Sequence, residues 1–395
     1  MAYPIDTIPL NALLLPVADA TAQITRLDER LTGSPIRTGF LERAHFHDAA
    51  ASLWVDGELV HLEDLVLHDA RMDVRTPSHE LVRAHAILRA RRQIFGREPG
   101  WALSDPGLDS LRGRGQDTGN ADVSAPAVKS MPLGTASMAA QQAEAGPDAL
   151  DAELAAIDRL LARSSATISR LGAADSLVAP ADPTDDIGNQ RPKAGTATVG
   201  ESDARDAALY DLDWNEDGRL AEWQDVVDQT LDLPAVLRVA VLLDAWNMIE
   251  VLQHAPWLGR LLTAALLRQA GTTTAHLPCL NLGLRAIPRE LRQSRSRTVR
   301  LTAFLDAIGQ AGALGLKEHD RLILAKAQLD RRLKGRRANS KLPQLIDFVL
   351  ARPLVSATMI ERELSVTQAG ALNLVKDLGL REMTGRGRFR AWGIV

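Results

Sequence analysis

Three apolar stripes at helical spacing follow one another near the C-terminus: LPQLIDFVLARP, SATMIEREL and TQAGALNLVKDL. The first is closed by Arg352-Pro353. Ser356 is placed to cap the second, and a short Ser365-Val366 turn leads to the third, with Thr367 as its cap and Gly379 at its end. Helix, helix, tight turn, helix is the order that lays its last member in a DNA major groove. The next residues, LREMTGRGRFRAWGIV, read as two extended runs around Thr384-Gly385-Arg386-Gly387, a β-hairpin with a basic tip. Together these features predict a winged helix-turn-helix, and little else fits so many turn signals in so few residues.

Charge agrees with that reading. Residues 321–395 hold 15 Lys/Arg against 6 Asp/Glu, a net of +9, whereas the whole chain of 395 residues carries −4. A local excess of this size favours a polyanion partner, here double-stranded DNA. On the third helix Thr367, Gln368, Asn373 and Lys376 are the candidates to meet base edges and phosphates. On the wing, Arg386, Arg388 and Arg390 suit backbone or minor-groove contacts. Upstream, RRLKGRRANSK reads as a basic arm. A winged helix used only for docking or dimerisation stays open as an alternative, so a protein partner or a second copy of the chain is a further candidate.

The rest of the chain reads as mainly α. Aromatic residues make up only 4%, and Ala, Leu and Arg dominate, a composition poor in strand formers. Residues 1–98 give helices over ADATAQITRLDERL, about Thr38 to Val55, HLEDLVLHDARM, and a Ser78-capped HELVRAHAILRARRQIFG. Residues 99–205 change texture. Gly, Pro, Ser, Thr and Asp prevail, with 15 Asp/Glu against 9 Lys/Arg over 101–205, so they read as a flexible insertion with one helix near 148–171. Residues 206–320 form a second helical block, and 321–395 the basic arm with the winged helix.

Two segments together carry a family resemblance. ASLWVDGELVHLEDL (51–65) resembles the N-terminal inhibitory helix of Fic-domain proteins, in which Ser or Thr is followed four residues later by Glu and then Gly or Asn; here they are Ser52, Asp56 and Gly57. LDAWNMIEVLQHAPWLGRLLTAALLRQAG resembles the Fic core, whose motif H-P-F-x-x-G-N-G-R-x-x-R activates a target hydroxyl for AMP transfer from ATP. The resemblance implies a Fic-like helical core over 206–320, yet the motif has decayed. Glu250 stands at the His position, Val251 and Leu252 at Pro and Phe, and Ala255, Pro256 and Trp257 at Asn-Gly-Arg; Gly259 and Arg260 persist. Pro removes an amide donor and Trp fills space that phosphate oxygens need. The expectation is a core without AMP transfer, with no catalytic residue and no cofactor. An atypical nucleotidyl transferase using Glu250 or His254, and a protein-binding scaffold of toxin–antitoxin type, are the alternatives. The resemblance further implies that Asp56 and Arg260 pair, joining the N-terminal helices to the core. More closely, the whole chain is similar to an uncharacterised bacterial family that joins a domain of unknown function to a C-terminal helix-turn-helix.

Other patterns read more plainly. DWNEDGRLAEWQ imitates a calcium loop through Asp213, Asn215, Asp217 and Gly218, but the twelfth position is Gln224, and an Asp-rich turn opening a helix is the better reading. No metal site is expected. His45 and His47, two apart on a helix, face different ways. RELRQSRSRTVR (289–300) reads as a solvated basic face, with a contribution to DNA or domain contact as the alternative. The single Cys279 excludes an internal disulfide framework and fits a reducing cytoplasm. MAYPIDTIPLNALLLPVADA lacks the basic start of a signal peptide, and the apolar run around Arg238 and Asp244 falls short of a membrane span. The expected protein is a cytoplasmic DNA-binding regulator of transcription.

Overall fold

Residues 297–332 hold their apolar positions at helical spacing for ten turns without a Pro. In the computed structural model, which describes residues 3–5, 8–73, 76–113, 214–333, 340–384 and 390–394, they form one helix of 36 residues, about 54 Å long at 1.5 Å per residue. The described part is mainly helical. In chain order the elements are α1 (Leu10–Thr32), α2 (Arg37–Val55), α3 (Leu62–Asp69), α4 (His79–Gly96), a 3-10 turn at Trp101–Leu103, and α5 (Asp105–Leu111). After the interval come α6 (Glu216–Gln229), α7 (Ala235–Ile249), α8 (Leu258–Gln269), α9 (Leu280–Ala286), α10 (Arg289–Arg292) and the long α11 (Arg297–Arg332). The C-terminal part is α12 (Leu342–Ala351), β1 (Val355–Ser356), α13 (Ala357–Leu364), α14 (Gln368–Leu378), β2 (Arg381–Glu382) and β3 (Ala391–Gly393).

All described residues belong to one unit, drawn from 1–118 and 204–395. Helix α1 lies along α11, and closeness there depends on Gly312, where a Cβ would come within 2.6 Å of the backbone of Gln23. Helix α7 is apolar around most of its circumference, Arg238, Asp244 and Asn247 apart, and is buried almost throughout, as such a helix must be. The long helix changes one reading. It runs unbroken across the 320/321 boundary, so the shift in charge at that point is not a break in structure. Arg331 and Arg332 of the expected basic arm belong to its last turn; residues 334–339 of the arm lie outside the described residues.

Two further expectations shift. Helix α1 begins at Leu10, with Pro16 inside it, because burial of Leu13 and Ala20 outweighs the lost amide donor. The N-terminal block continues past 98 to Leu111, where Ser104 caps α5 by accepting a hydrogen bond from the Gly107 amide. The expected helix near 148–171 lies outside the described residues. No helix among the described residues is long and apolar enough to cross a membrane.

The C-terminal sheet has the order β1-β3-β2, all antiparallel, with Val355 opposite Trp392 and Glu382 also opposite Trp392 across the other edge. Its core is not its own. Leu345, Val349, Ile360 and Trp392 share a cluster with Leu27, Leu31 and Phe40 of α1 and α2. The winged helix is thereby packed onto the N-terminal helices. Buried Arg43 of α2 strengthens that contact by donating to the Leu350 and Val349 carbonyls at 3.3 and 3.2 Å, satisfying the carbonyl end of α12.

Candidate nucleic-acid interface

Helix α14 is set by local chemistry. Ser356 Oγ accepts from the Met359 amide at 3.2 Å and opens α13. Ser365, in the left-handed region at φ 51°, turns the chain. Thr367 Oγ1 then accepts from the Gly370 amide at 3.2 Å and opens α14. Gly379 at φ 55° closes it, as a left-handed C-terminal glycine does. Arg332 of α11 donates to the Leu378 carbonyl, tying the last turn of α14 to the long helix.

Helix α14 buries Ala371, Val375 and Leu378 and turns Gln368, Asn373 and Lys376 to the outside, with Thr367 exposed at its start. Leu372, 40% exposed, lies among them. It was not singled out from sequence, although an apolar residue on a polar helix face is the signal, and such a side chain suits the methyl of thymine. Arg390 is exposed and braced: Glu382 Oε2 accepts from its Nε and NH2 at 3.0 and 2.7 Å, and its guanidinium lies 5.3 Å over the Trp392 ring. The hydrogen bonds and charge of Glu382 hold that guanidinium above its ordinary pKa. Arg386 and Arg388 lie outside the described residues.

An acidic wall stands beside this face. A cleft of about 850 Å³ separates Gln368, Leu372 and Arg390 from Glu63, Asp64 and Asp73 of the α3 segment. Arg352 and Arg92 fix the far end of α3 by gripping Asp69 at 2.9 and 2.7 Å. Burial opposes ionisation of Asp69, but hydrogen bonds from His85 and Arg92, with the charges of Arg92 and Arg352, hold its carboxyl well below the usual range. The basic total of residues 321–395 gave no hint of this wall, which comes from a segment far away in sequence.

The stretch that resembles the Fic motif takes a definite shape. Glu250 is the left-handed cap of α7 at φ 53° and is exposed; Val251, Leu252, Ala255 and Trp257 are buried. Gly259 lies against Trp246, whose ring a Cβ would approach to 2.2 Å, so its lack of a side chain serves packing. His254 is exposed and pairs through Nδ1 with Glu216 at 2.7 Å. Arg260 NH1 and NH2 donate to the two Asp56 oxygens at 2.9 and 2.8 Å, and NH2 also reaches Ser52 Oγ at 2.8 Å. Asp56 and Arg260 thus form a two-pronged pair across 204 positions.

The remaining motifs resolve locally. Asn215 caps α6 by accepting from the Gly218 amide at 2.9 Å, and Asp217 binds Arg112 at 2.6 Å, so this part of the calcium-like stretch is the opening of a helix; Asp213 lies outside the described residues. No group of three or more metal-ligating side chains occurs among the described residues. His45 is fully buried against Phe95, and His47 is half-buried. The 289–300 stretch corrects its reading in part. Arg300 binds Asp244 through Nε at 2.6 Å and NH2 at 3.1 Å, and Arg297 lies 4.7 Å over the Tyr3 ring. A carboxylate buried in the apolar helix α7 draws these two guanidinium groups inward. Asp244 in an otherwise apolar run was the signal for it.

Comparison with known proteins accords with the two-part reading. Residues 208–334 match the family described as a protein of unknown function, DUF1612, and residues 342–395 match the HTH DNA binding domain. An uncharacterized protein of Sinorhizobium fredii, y4cF, is 49% identical over 406 aligned positions that cover 100% of each chain.

Proposed function

From a chain that belongs to the family of this Sinorhizobium protein, a DUF1612 domain followed by an HTH DNA binding domain, we propose a transcriptional regulator acting on duplex DNA in the cytoplasm. The observation that carries the reading is the outward face of α14. Gln368, Leu372, Asn373 and Lys376 share it beside a braced wing arginine, an arrangement able to meet base edges and phosphates together. Residues 216–332 serve as a frame that carries and orients the winged helix. If their likeness to the Fic core reflects descent, the frame no longer transfers AMP. Apolar side chains fill the loop, and Asp56 and Ser52 occupy the guanidinium of Arg260.

Fluorescence anisotropy of the full chain with a labelled pool of random duplexes tests the proposal. Binding should weaken steeply with salt as phosphate contacts release counterions, and Lys376→Ala should lower the log–log salt slope by about one. Asn373→Ala should alter preference among selected sequences more than overall affinity. Retention of no duplex at low salt would remove the DNA reading altogether.

A further inference from the structure

A helix that enters DNA is as wide as the groove it enters. With its side chains an α-helix is about 10–12 Å across, and the major groove of B-DNA is about 12 Å wide. A seated helix therefore meets a row of phosphates along each flank. On α14 one flank carries Gln368 and Leu372, a turn apart, and both line the cleft against α3 together with Arg390 of the wing. One phosphate row has to pass through that cleft, bringing a negative charge about every 3.4 Å.

The cleft as it stands is ill suited to receive that row. Its volume of about 850 Å³ is that of a small-molecule site. Its opposite wall carries Glu63 and Asp64 in the first turn of α3, with Asp73 beyond the last. Phosphates and carboxylates brought together across so small a space repel each other and cost affinity. Arg390, the wing cation in the cleft, is already engaged by Glu382.

Helix α3 is tied both to the winged helix and to the helices behind it. Its last residue, Asp69, accepts from Arg352, which follows α12 of the winged helix, at 2.9 Å, and from Arg92 of α4 at 2.7 Å. Arg352 is 26% exposed and Asp69 10%, so solvent screens their bond only in part. Arg362 of α13 adds a 3.4 Å contact to the Ala70 carbonyl. The anchorage of α3 itself is slight. It is eight residues long and buries only Leu65 and Val66, and so short a helix does not hold its shape alone. The chain reaches it after Gly57 at φ 90° and leaves it through Arg71 at φ 55°. A residue with a side chain keeps that left-handed conformation only where its surroundings impose it. Segments that move in regulation are drawn from such weakly held elements.

We propose that α3 is an autoinhibitory element that restricts the approach of DNA to α14, and that the ion pair of Asp69 with Arg352 is the latch that holds it closed. The device rests on the DNA-binding function proposed above and regulates that same face. Duplex engages the fraction of molecules whose latch is open, and the apparent affinity is reduced by that fraction.

Fluorescence anisotropy of the full chain on the labelled duplex pool reads the latch through the sign of one substitution. Arg352→Gln removes a cation from the winged helix, yet it should tighten binding about tenfold, the worth of one charged hydrogen bond. Lys376→Ala, which removes a cation without touching α3, should weaken binding instead. Asp69→Asn opens the same latch from the other side and replaces Arg352→Gln should that variant fail to fold. In the wild type, saturating duplex should speed amide hydrogen exchange in 62–69 while slowing it in 368–378. Duplex binding by the wild type with no gain in a folded latch variant overturns the latch and leaves the DNA reading standing. Exchange in 62–69 that duplex slows or leaves unchanged does the same. Retention of no duplex by any of these proteins removes both readings together.

Discussion

The pair between Asp56 and Arg260 permits a worked test of how the N-terminal helices are held to α8. The two side chains are 13% and 9% exposed and meet through two hydrogen bonds of 2.9 and 2.8 Å. Breaking a fully buried pair by removing one partner costs about 3–5 kcal/mol, because the survivor is left charged and unmatched. Here each survivor keeps some company. Asp56 retains Arg83 at 3.9 Å, and Arg260 retains the hydroxyl and carbonyl oxygens of Ser52 at 2.8 and 3.4 Å. Asp56→Ala and Arg260→Ala should therefore each cost about 2–3 kcal/mol, below the fully buried figure. At roughly 2–4 °C per kcal/mol this lowers the melting temperature by about 4–12 °C. The double variant leaves no unmatched charge, so its loss should fall short of the sum by about 1.5–3 kcal/mol, the worth of charged hydrogen bonds. Arg30 and Asp320, 3.1 Å apart but 55% and 64% exposed, are the control, with a coupling of about 1 kcal/mol or less. Urea unfolding of the four proteins at each site measures both couplings. Additive losses at Asp56 and Arg260, or a coupling no larger than the control's, would refute the reasoning.

Three further outcomes follow from the same geometry. Glu63→Gln with Asp64→Asn removes charge from the wall beside α14 and should tighten duplex binding about two- to fivefold at low salt, an advantage that fades as salt screens it; anisotropy that shows no gain would mean that DNA does not pass this wall. Burial lowers His45, His47 and His276 from the ordinary 6.5, so below that pH the unfolded chain takes up protons that the native one refuses. The stability they contribute is complete above 6.5 and is lost as pH falls toward the lowered values, about 4 for His47, with Asp28 extending the loss from 3.8 toward about 2; a urea midpoint equal at pH 7.5 and pH 5 contradicts this. Incubation with labelled ATP and cell lysate should leave no protein labelled above background, and labelling that disappears with Glu250→Ala would establish the transferase alternative.

Where a signal is local, the sequence carries the structure to within a residue or two. Ser78, Ser356 and Thr367 each cap the helix that their spacing predicts, and Asp56-Gly57 ends α2 as read, with Gly57 at φ 90°. Local signals mislead where packing wins. The first helix reads from Ala18 but begins at Leu10 with Pro16 inside it, and the charge shift at residue 321 falls within the 36-residue helix. At the candidate site, helix, turn, cap and exposed polar face were legible. The brace of Glu382 on Arg390 and the acidic wall were not, because composition counts charges without saying which face meets which.

The interior carboxylates explain why 1–111 and 216–332 form one unit although a hundred positions separate them in sequence. Asp28 of α1 takes the amides of Thr274 and Ala275 and the ring of His276. Asp48 of α2 takes Arg91 at 2.5 Å, Asn281 at 2.8 Å and the Leu282 amide at 3.1 Å. Asp56 takes Arg260, while Asp244 of α7 takes Tyr3 at 2.7 Å together with Arg300. Each of the four thus has a partner on the other side of the interval. A different packing of these helices could bury similar apolar area, since apolar contact is non-directional. It would leave these carboxylates inside without their donors, at several kcal/mol for each unmatched charge. Apolar area therefore supplies the drive to pack α1, α2 and α4 on α7, α8, α9 and α11, while the four carboxylates select the register. No window of the sequence could show that register, because every one of these contacts joins residues more than 40 positions apart.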